Sequence, residues 1–521
     1  MKTDKSSAFF QAVTLTLSSL ALQILLFVYR IIITRFSGAG GMGIYQLAAP
    51  YYSILASISL SGITMAVTKL TVEKSSGKNA FNDSNAVQAV VHKALQLFLT
   101  LLTISAVITF IFPDFIAGNI LGDIRTKASM LLFIPCLFFT GFENIYKSFF
   151  YGMKTIKPNI ISEISELSIR ISVIFILLYL NRFSLTPERT AFLIVLGMII
   201  SEIFSFTFLG LYYKKYNKQK KYSGGEKFFY SKNILSEIGR IAIPISASSL
   251  LMTIISSINT ILIPKRLIVS GMTSTQAIES LGMLMGMAFP LVTIPAIFIG
   301  PIINVMFPRI TSAKKLGDKK DMNNKIAKVL QTCSFLTFPG MGVVAAVGSP
   351  LCMLMYKNET AGSYIFPLVL SSVFIYMQSV TGSVLYALDQ QKKLALYNII
   401  DGIIHIIFTY IFVAMPVFNI YGYMLGHFTS SLAGIILNTV TLIKYSKIKI
   451  NFAQWFILPA VSGIYTGFMA RFTYNFCVKI SLTPLISVII SIVFGILIYT
   501  AVLELKNISI FQYIKKIFRY A

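Results

Sequence analysis

Long apolar runs, separated by short polar segments, follow one another along almost the whole chain. A helix of about 18 apolar residues or more is long enough to cross about 30 Å of hydrocarbon. The pattern predicts fourteen such spans, at 10–34, 44–67, 89–113, 128–150, 159–180, 190–212, 238–264, 281–307, 326–349, 361–388, 394–415, 420–443, 452–472 and 481–504. We therefore expect an all-α, polytopic membrane protein. The first span follows the N-terminus without a small-residue cleavage site, so we expect it to be retained.

The composition agrees with this class. Hydrophobic residues make up 55% of the chain and charged residues only 12%, against about 25% charged in soluble domains. The net charge of +26 raises the possibility of a nucleic-acid partner, but the basic residues are spread over many loops rather than gathered into one groove. The four cysteines lie far apart with no C-x-x-C motif, which supports neither a disulfide framework nor a zinc site and predicts small buried side chains.

The distribution of basic residues predicts the orientation in the membrane. Of the 45 Lys and Arg residues, 32 fall in the loops on the side of the N-terminus and 10 on the opposite side. Cytoplasmic loops carry the excess of Lys and Arg. We therefore expect both termini to be cytoplasmic.

The sequence also contains an internal duplication. Residues 48–78 align with 288–318 at an offset of 240, and residues 151–170 align with 386–405 at an offset of 235. Chance likeness between apolar segments is the alternative, and the matched loop glycines and charges disfavour it. An even number of spans separates the partners, which predicts parallel repeats with a substrate cavity between two lobes.

The duplication predicts three parts of the chain. They are an N-terminal lobe with its cytoplasmic linker (1–232), a C-terminal lobe (233–448), and two further helices with a cytoplasmic tail (449–521).

Charged residues inside the spans each cost roughly 2.5–3.5 kcal/mol on insertion scales, so each calls for a reason. They include Arg30, Glu143, Glu163, Glu166, Arg170, Asp401 and His405. Glu166 and Arg170 are four residues apart on one helix face and can form a buried ion pair. Asp401 and His405 repeat that spacing in the second lobe. A carboxylate in a hydrated cavity can instead take up a proton or Na⁺, so these residues are also candidate coupling sites.

Two arginines lie in the first span and the turn after it. Arg35 lies at the outer end of the span, where a headgroup anchor is the simplest role. Arg30 lies about 7.5 Å deeper, where it either reaches the headgroups or faces a cavity and binds an anion. A guanidinium suits phosphate because it donates two parallel hydrogen bonds and keeps its charge. No catalytic constellation and no cofactor motif appears, so we expect a protein that is not an enzyme.

Three stretches carry a family resemblance. "RFSGAGGMGIYQLAAP" (35–50) and "GITMAVTKLTVEK" (62–74) resemble the opening two helices of the stage V sporulation protein B group, in the polysaccharide-export branch of the multidrug/oligosaccharidyl-lipid/polysaccharide exporter superfamily. "YGMKTIKPNIISEISELSIR" (151–170) resembles the junction between the group's fourth and fifth helices. The recurring residues there match Gly152, Pro158, Glu166 and Arg170, whereas Glu163 stands where the group has glutamine.

The resemblance implies a MATE-like, two-lobed, alternating-access fold of fourteen helices in a bacterial plasma membrane. It also implies flipping of undecaprenyl-diphosphate-linked saccharides such as lipid II, often in spore cortex formation. Arg30, Arg35 and Lys69 are then expected to hold the diphosphate, because lipid II flippases of the superfamily carry cavity arginines in the first helix. The remaining intramembrane charges are expected to couple the movement of the lobes to a Na⁺ or H⁺ gradient or to the membrane potential.

Two alternatives stay open. A cation-coupled multidrug exporter of the same fold needs an acidic residue in the first helix, where this chain has arginine. A non-transporting scaffold for cell-wall synthases should survive loss of its cavity charges.

Overall fold

The computed structural model describes residues 3–75, 84–181, 183, 185–221 and 233–504, with side chains from residue 21 onwards. Helices and short turns account for this part of the chain, and no strand occurs in it. The α-helices are α1 (Thr3–Ser59), α2 (Ser61–Ser75), α3 (Ser84–Ile111), α4 (Lys127–Gly152), α5 (Lys157–Leu180), α6 (Pro187–Lys221), α7 (Ile234–Val269), α8 (Ser274–Leu281), α9 (Phe289–Val292), α10 (Ala296–Lys315), α11 (Lys319–Tyr356), α12 (Glu359–Ser363), α13 (Ile365–Ala387), α14 (Gln391–Phe412), α15 (Tyr421–Ser446), α16 (Leu458–Lys479) and α17 (Pro484–Glu504). The all-α class is confirmed.

Eleven helical stretches of the described residues are long and apolar enough to cross a membrane. The first of them, Ala21–Ser75, is 55 residues long and is interrupted at Gly38, whose φ of 63° leaves the helical region. A glycine adopts this conformation without the steric cost of a Cβ atom. The interruption lies in the glycine-rich segment where the sequence predicts a turn between two spans. The count of fourteen spans itself stays a prediction.

The eighth predicted span, 281–307, is not one continuous helix. The chain passes from α8 through a π-helical turn, Gly282–Ala288, into the short α9 and then into α10. Pro290 and Pro295 lie at these junctions, where each removes a backbone N–H that a continuous helix would use. The hydropathy pattern does not register such breaks, because the residues of the broken segment remain apolar.

The chain forms two compact units, residues 17–264 and residues 265–521 together with 1–16. The division falls inside α7, about thirty residues after the boundary that the sequence suggests. The reason is that the first part of α7 packs on the helices before it. A Cβ atom added at Gly62 of α2 would lie 2.1 Å from the carbonyl oxygen of Ala242, and the hydroxyls of Ser57 and Thr253 are 2.7 Å apart.

The helix boundaries repeat at the offsets found in the sequence. α2 ends at Ser75 and α10 ends at Lys315, 240 residues later. α4 ends at Gly152 and α13 ends at Ala387, 235 residues later. Two helix ends therefore recur at the offsets of the repeat, which agrees with a duplication.

Each unit has its own apolar core. Phe98, Phe149 and Phe150 are almost fully buried in the first unit, and Trp455 contributes to the core of the second. The four cysteines are free and buried, as the sequence predicts.

Part of the predicted topology lies outside the described residues. This applies to the C-terminal tail from residue 505, to positions 1–2, and to the loop segments 76–83 and 222–232. The cytoplasmic position of both termini therefore stays a prediction.

Candidate functional site

Charged side chains from α4 and α5 meet inside the first unit. The Nζ atom of Lys147 lies 2.5 Å from Glu143 Oε1, 3.6 Å from Glu163 Oε1 and 3.7 Å from Glu166 Oε2. Glu143 and Lys147 are one helical turn apart on α4. The neighbouring start of α5 brings two more carboxylates to the same lysine.

A second cation completes this group and links it to α6. Arg170 donates to Glu166, as their i, i+4 spacing predicts. It also donates to Glu202 Oε1 at 2.8 Å and, through Nε, to Ser201 Oγ at 3.0 Å. We call the group of Glu143, Lys147, Glu163, Glu166, Arg170 and Glu202 the buried ion cluster.

Most of the cluster is removed from solvent. Glu143, Glu166 and Glu202 are 1%, 9% and 5% exposed, and one oxygen from each lies within 4.8 Å of the others, close enough to hold a metal ion. Only Glu163 has a substantial part of its side chain exposed, 30%. Burying a charge costs several kcal/mol unless a partner offsets it, and Lys147 and Arg170 offset part of this cost for the carboxylates that they contact.

Two members of the cluster were missed by the sequence analysis. Glu202 lies in an apolar segment of α6, and its cation belongs to α5, so no spacing along its own helix points to it. The count of basic residues assigns Lys147 to the loop after the predicted span 128–150, although it lies in α4, five residues before the end of that helix. A lone glutamate within an apolar span is the signal that identifies Glu202, since such a residue needs a partner.

Arg30 and Arg35 both lie on α1 with exposed side chains. The preceding residue, Tyr29, is buried in a cluster that includes α5 residues such as Ile174. The same apolar cluster includes Tyr45 of α1, so this part of α1 packs on α5 within the first unit.

Lys69 lies elsewhere in the same unit. It pairs with Glu73 at 3.8 Å, and both side chains are more than half exposed. Thr71, two residues later, lies against Gly152 at the end of α4, where an added Cβ would be 2.6 Å from Thr71 Cβ. The α5 residues in the apolar cluster around Tyr29 begin about ten residues after the start of α5. This separation corresponds to about 15 Å along the axis of α5, measured from the end that lies near Gly152. The structure therefore does not bring Lys69 together with Arg30.

The second unit contains a cavity of about 540 Å³ between α10, α13 and α14, lined by both apolar and polar side chains. Its polar lining consists of amide, hydroxyl and carboxyl groups, from Asn304, Gln378, Ser379, Ser383, Asn398 and Asp401. The rings of Phe307 and Tyr386 also line it and lie 5.6 Å apart. Asp401 Oδ1 has no hydrogen-bond partner.

His405 lies one helical turn beyond Asp401, and its ring packs on other aromatic rings rather than on a carboxylate. Its ring stacks on His427 with centroids 5.0 Å apart and planes within 6°, and it contacts Tyr423 at 4.7 Å. Neither His405 Nε2 nor Asp401 Oδ1 has a hydrogen-bond partner. The i, i+4 pair of the second unit is therefore not an ion pair like the one between Glu166 and Arg170.

Solved structures share this fold. A lipid II flippase, MurJ, in an inward closed conformation matches with a TM-score of 0.68 at 15% identity, over 95% of this chain and 99% of the other. An inward-facing multidrug resistance MATE family transporter of the MOP superfamily matches with a TM-score of 0.63 at 13% identity, over 84% and 100%. Because the identities are low, these likenesses establish the architecture alone, a MATE-like membrane transporter fold.

Curated relatives come from Bacillus subtilis (strain 168). Stage V sporulation protein B is 21% identical over 446 residues, 85% of this chain and 85% of the relative. Lipid II flippase MurJ is 22% identical over 422 residues, 75% of this chain and 74% of the relative. The family model for polysaccharide biosynthesis proteins matches residues 11–314, more than half of the sequence, and the chain thus belongs to the polysaccharide biosynthesis protein family.

Proposed function

We propose that this membrane transporter flips an undecaprenyl-diphosphate-linked saccharide, such as a lipid II-like peptidoglycan precursor, across the bacterial plasma membrane by alternating access. In this proposal both termini are cytoplasmic, and the flipped saccharide serves spore cortex or cell-wall synthesis. The relatives named for lipid II flipping and for sporulation support it.

The observation that carries the proposal is the chemistry of α1. Arg30 and Arg35 are exposed, permanent cations on one helix. They suit a diphosphate, whose charges each guanidinium can engage with paired hydrogen bonds. Lys69 is too far from Arg30 to share the same phosphate, so in this proposal it meets the lipid only at another stage of transport. A cation-coupled drug exporter would instead need an acidic residue at these positions to attract cations.

The cavity of the second unit has a lining that suits a saccharide. Sugars present hydroxyl and amide groups that bind to side-chain amides and carboxylates, and their apolar faces pack on aromatic rings. Asn398, Asp401 and Tyr386 supply these three kinds of contact in one cavity. Its volume of about 540 Å³ is within the usual range for small-molecule sites.

The intramembrane charges then serve the movement of the two units. Glu143, Glu163, Glu166 and Arg170 belong to one unit, and Asp401 and His405 belong to the other. We assign them to coupling rather than to direct contact with the diphosphate.

The test is a flipping assay with the full-length protein in liposomes, using a fluorescent polyprenyl-diphosphate disaccharide. Arg30→Ala should reduce the rate to the level of protein-free liposomes without changing expression. The matched control is Arg189→Ala, which removes an exposed arginine that donates to Asn181, and it should flip at the wild-type rate.

Other results would favour the alternatives. Normal flipping by Arg30→Ala would contradict the diphosphate site. Export of cationic drugs with no flipping of the lipid would favour the multidrug exporter. A cell-wall phenotype rescued by Arg30→Ala, together with no transport of either substrate, would favour the scaffold.

A further inference from the structure

The buried ion cluster is not balanced in charge. Three carboxylates that are at least nine-tenths buried, Glu143, Glu166 and Glu202, share two cations, Lys147 and Arg170. The fourth carboxylate, Glu163, is partly exposed, so water screens its charge. One negative charge in the buried part therefore has no partner.

Two buried carboxylate oxygens of the cluster have no hydrogen-bond partner, Glu143 Oε1 and Glu202 Oε2. Lys147 Nζ lies 2.5 Å from Glu143 Oε1, so Glu202 is the better candidate for the unbalanced charge. Glu202 Oε1 accepts from Arg170, but Glu202 Oε2 is buried and has no hydrogen-bond donor. One carboxylate oxygen of Glu202 lies within 4.8 Å of an oxygen of Glu143 and of an oxygen of Glu166. A proton on Glu202 would reduce the repulsion among these carboxylates and would give the unpaired oxygen a hydrogen bond to donate.

The other titratable groups around the cluster do not supply that hydrogen. Tyr29, Tyr45 and Tyr52 approach from α1, and Cys136 approaches from α4. Tyr45 donates to Met198 Sδ at 3.6 Å and Tyr52 donates to Thr140 at 3.2 Å. Arg30 is exposed on α1.

We infer that the buried ion cluster binds one exchangeable proton, carried on Glu202 Oε2 and donated to a Glu143 carboxylate oxygen. The proton comes from water and returns to water, so no other co-reactant is needed. A proton fits better than a metal cation, because Lys147 and Arg170 already lie against the same carboxylates and would repel a metal ion. Partly exposed Glu163, beside Lys147, is the point where the cluster meets water.

This inference gives the proposed transport its energy source and rests on that proposal for its physiological meaning. Loss of the proton leaves an uncompensated charge in the first unit, which favours a conformation that hydrates the cluster. Binding of the proton favours the buried arrangement of the cluster. Transport of the lipid would then be driven by the proton gradient rather than by Na⁺.

The proton itself is measurable without any transport. Infrared difference spectra of the full-length protein in lipid should show the C=O stretch of a protonated, buried carboxyl, which disappears as the pH is raised. Glu202→Gln should remove this band, and it should preserve the fold because the Gln amide can donate to Glu143 as the protonated acid does. Glu359→Gln, a change at an exposed position of α12, is the matched control and should keep the band.

A second variant guards against failure of the first to fold. Glu143→Gln removes one buried negative charge, so the two remaining buried carboxylates are balanced by Lys147 and Arg170, and this variant should weaken or remove the band as well. A band that is unchanged in both variants, or no band at any pH, would overturn the inference. So would carboxylate bands that respond to Na⁺ and not to pH, since these would identify a sodium site.

The functional arm uses the flipping assay with imposed gradients. A pH gradient should speed flipping by up to about tenfold per unit in the wild type, and by less than about twofold in Glu202→Gln. An equal acceleration in both proteins would contradict coupling through Glu202. If Arg30→Ala keeps the band but does not flip, both proposals stand; if it flips normally while Glu202→Gln lacks the band, only the diphosphate site fails.

Discussion

Removing the guanidinium of Arg170 tests whether the buried ion cluster holds α5 and α6 together. Arg170→Met keeps an unbranched side chain with good helix propensity but removes the donors to Glu166, Glu202 and Ser201. Two buried carboxylates then lose their shared cation, and only Lys147 remains near the cluster.

The size of the effect follows from these contacts. Removing one partner of a buried ion pair typically costs about 3–5 kcal/mol, because the remaining charge stays buried without compensation. The Arg170 side chain is only 14% exposed and Glu202 only 6%, so solvent screens little of this cost. We expect the free energy of unfolding to fall by about 3 kcal/mol. Arg170→Met combined with Glu166→Gln and Glu202→Gln should recover at least half of that loss.

The measurement is unfolding of the full-length protein in lipid bicelles, followed at several pH values. The loss caused by Arg170→Met should shrink as the pH falls, because the stranded carboxylates then take up protons. Arg189→Met, at an exposed position, serves as the control and should change the stability by less than about 0.5 kcal/mol. An equally small change for Arg170→Met, or a loss that does not depend on pH, would refute the reasoning.

Three further predictions concern other parts of the chain. Gly62→Ala places a Cβ 2.1 Å from a carbonyl oxygen of α7 and should cost about 1–3 kcal/mol in thermal unfolding, whereas Gly239→Ala, whose Cβ would have 3.8 Å of clearance, should be tolerated. Tyr386→Ala should slow flipping of a disaccharide-bearing lipid about threefold to tenfold, but leave a sugar-free polyprenyl diphosphate unaffected; equal slowing of both would contradict a saccharide site. The Lys314 ammonium donates to Asp389 at 2.7 Å and lowers the pKa of that carboxyl. This ion pair therefore stabilises the fold at neutral pH, and its contribution is lost as the pH falls through the lowered pKa. Lys314→Ala should remove this acid-range dependence from a plot of Tm against pH.

Sequence patterns predicted the features that depend on neighbours along the chain. The turn at Gly38 follows from a run of glycines, and the contact of Glu166 with Arg170 follows from their spacing on one helix. The class of fold follows from the length of the apolar runs. Each of these needs only local geometry and the cost of placing polar groups in hydrocarbon.

The features that the sequence did not reveal depend on contacts between helices. Glu202 and Arg170 lie on different helices, 32 residues apart in sequence. The position of Lys69 depends on the packing of α2 against the end of α4, which no periodicity encodes. The division within α7 likewise reflects its close approach to α2 at Gly62.

The two halves of the duplication have diverged at one equivalent position, and this divergence supports a division of roles. Arg170 and His405 are 235 residues apart, the offset of the repeat. Arg170 binds two carboxylates, whereas His405 lies flat between α14 and α15, where a Cβ at Gly426 would be 3.0 Å from its Cδ2. Asp401, one helical turn before His405, lines the cavity of the second unit. In the proposed function we therefore expect the unit with the ion cluster to handle charge and the unit with the cavity to bind an uncharged polar group.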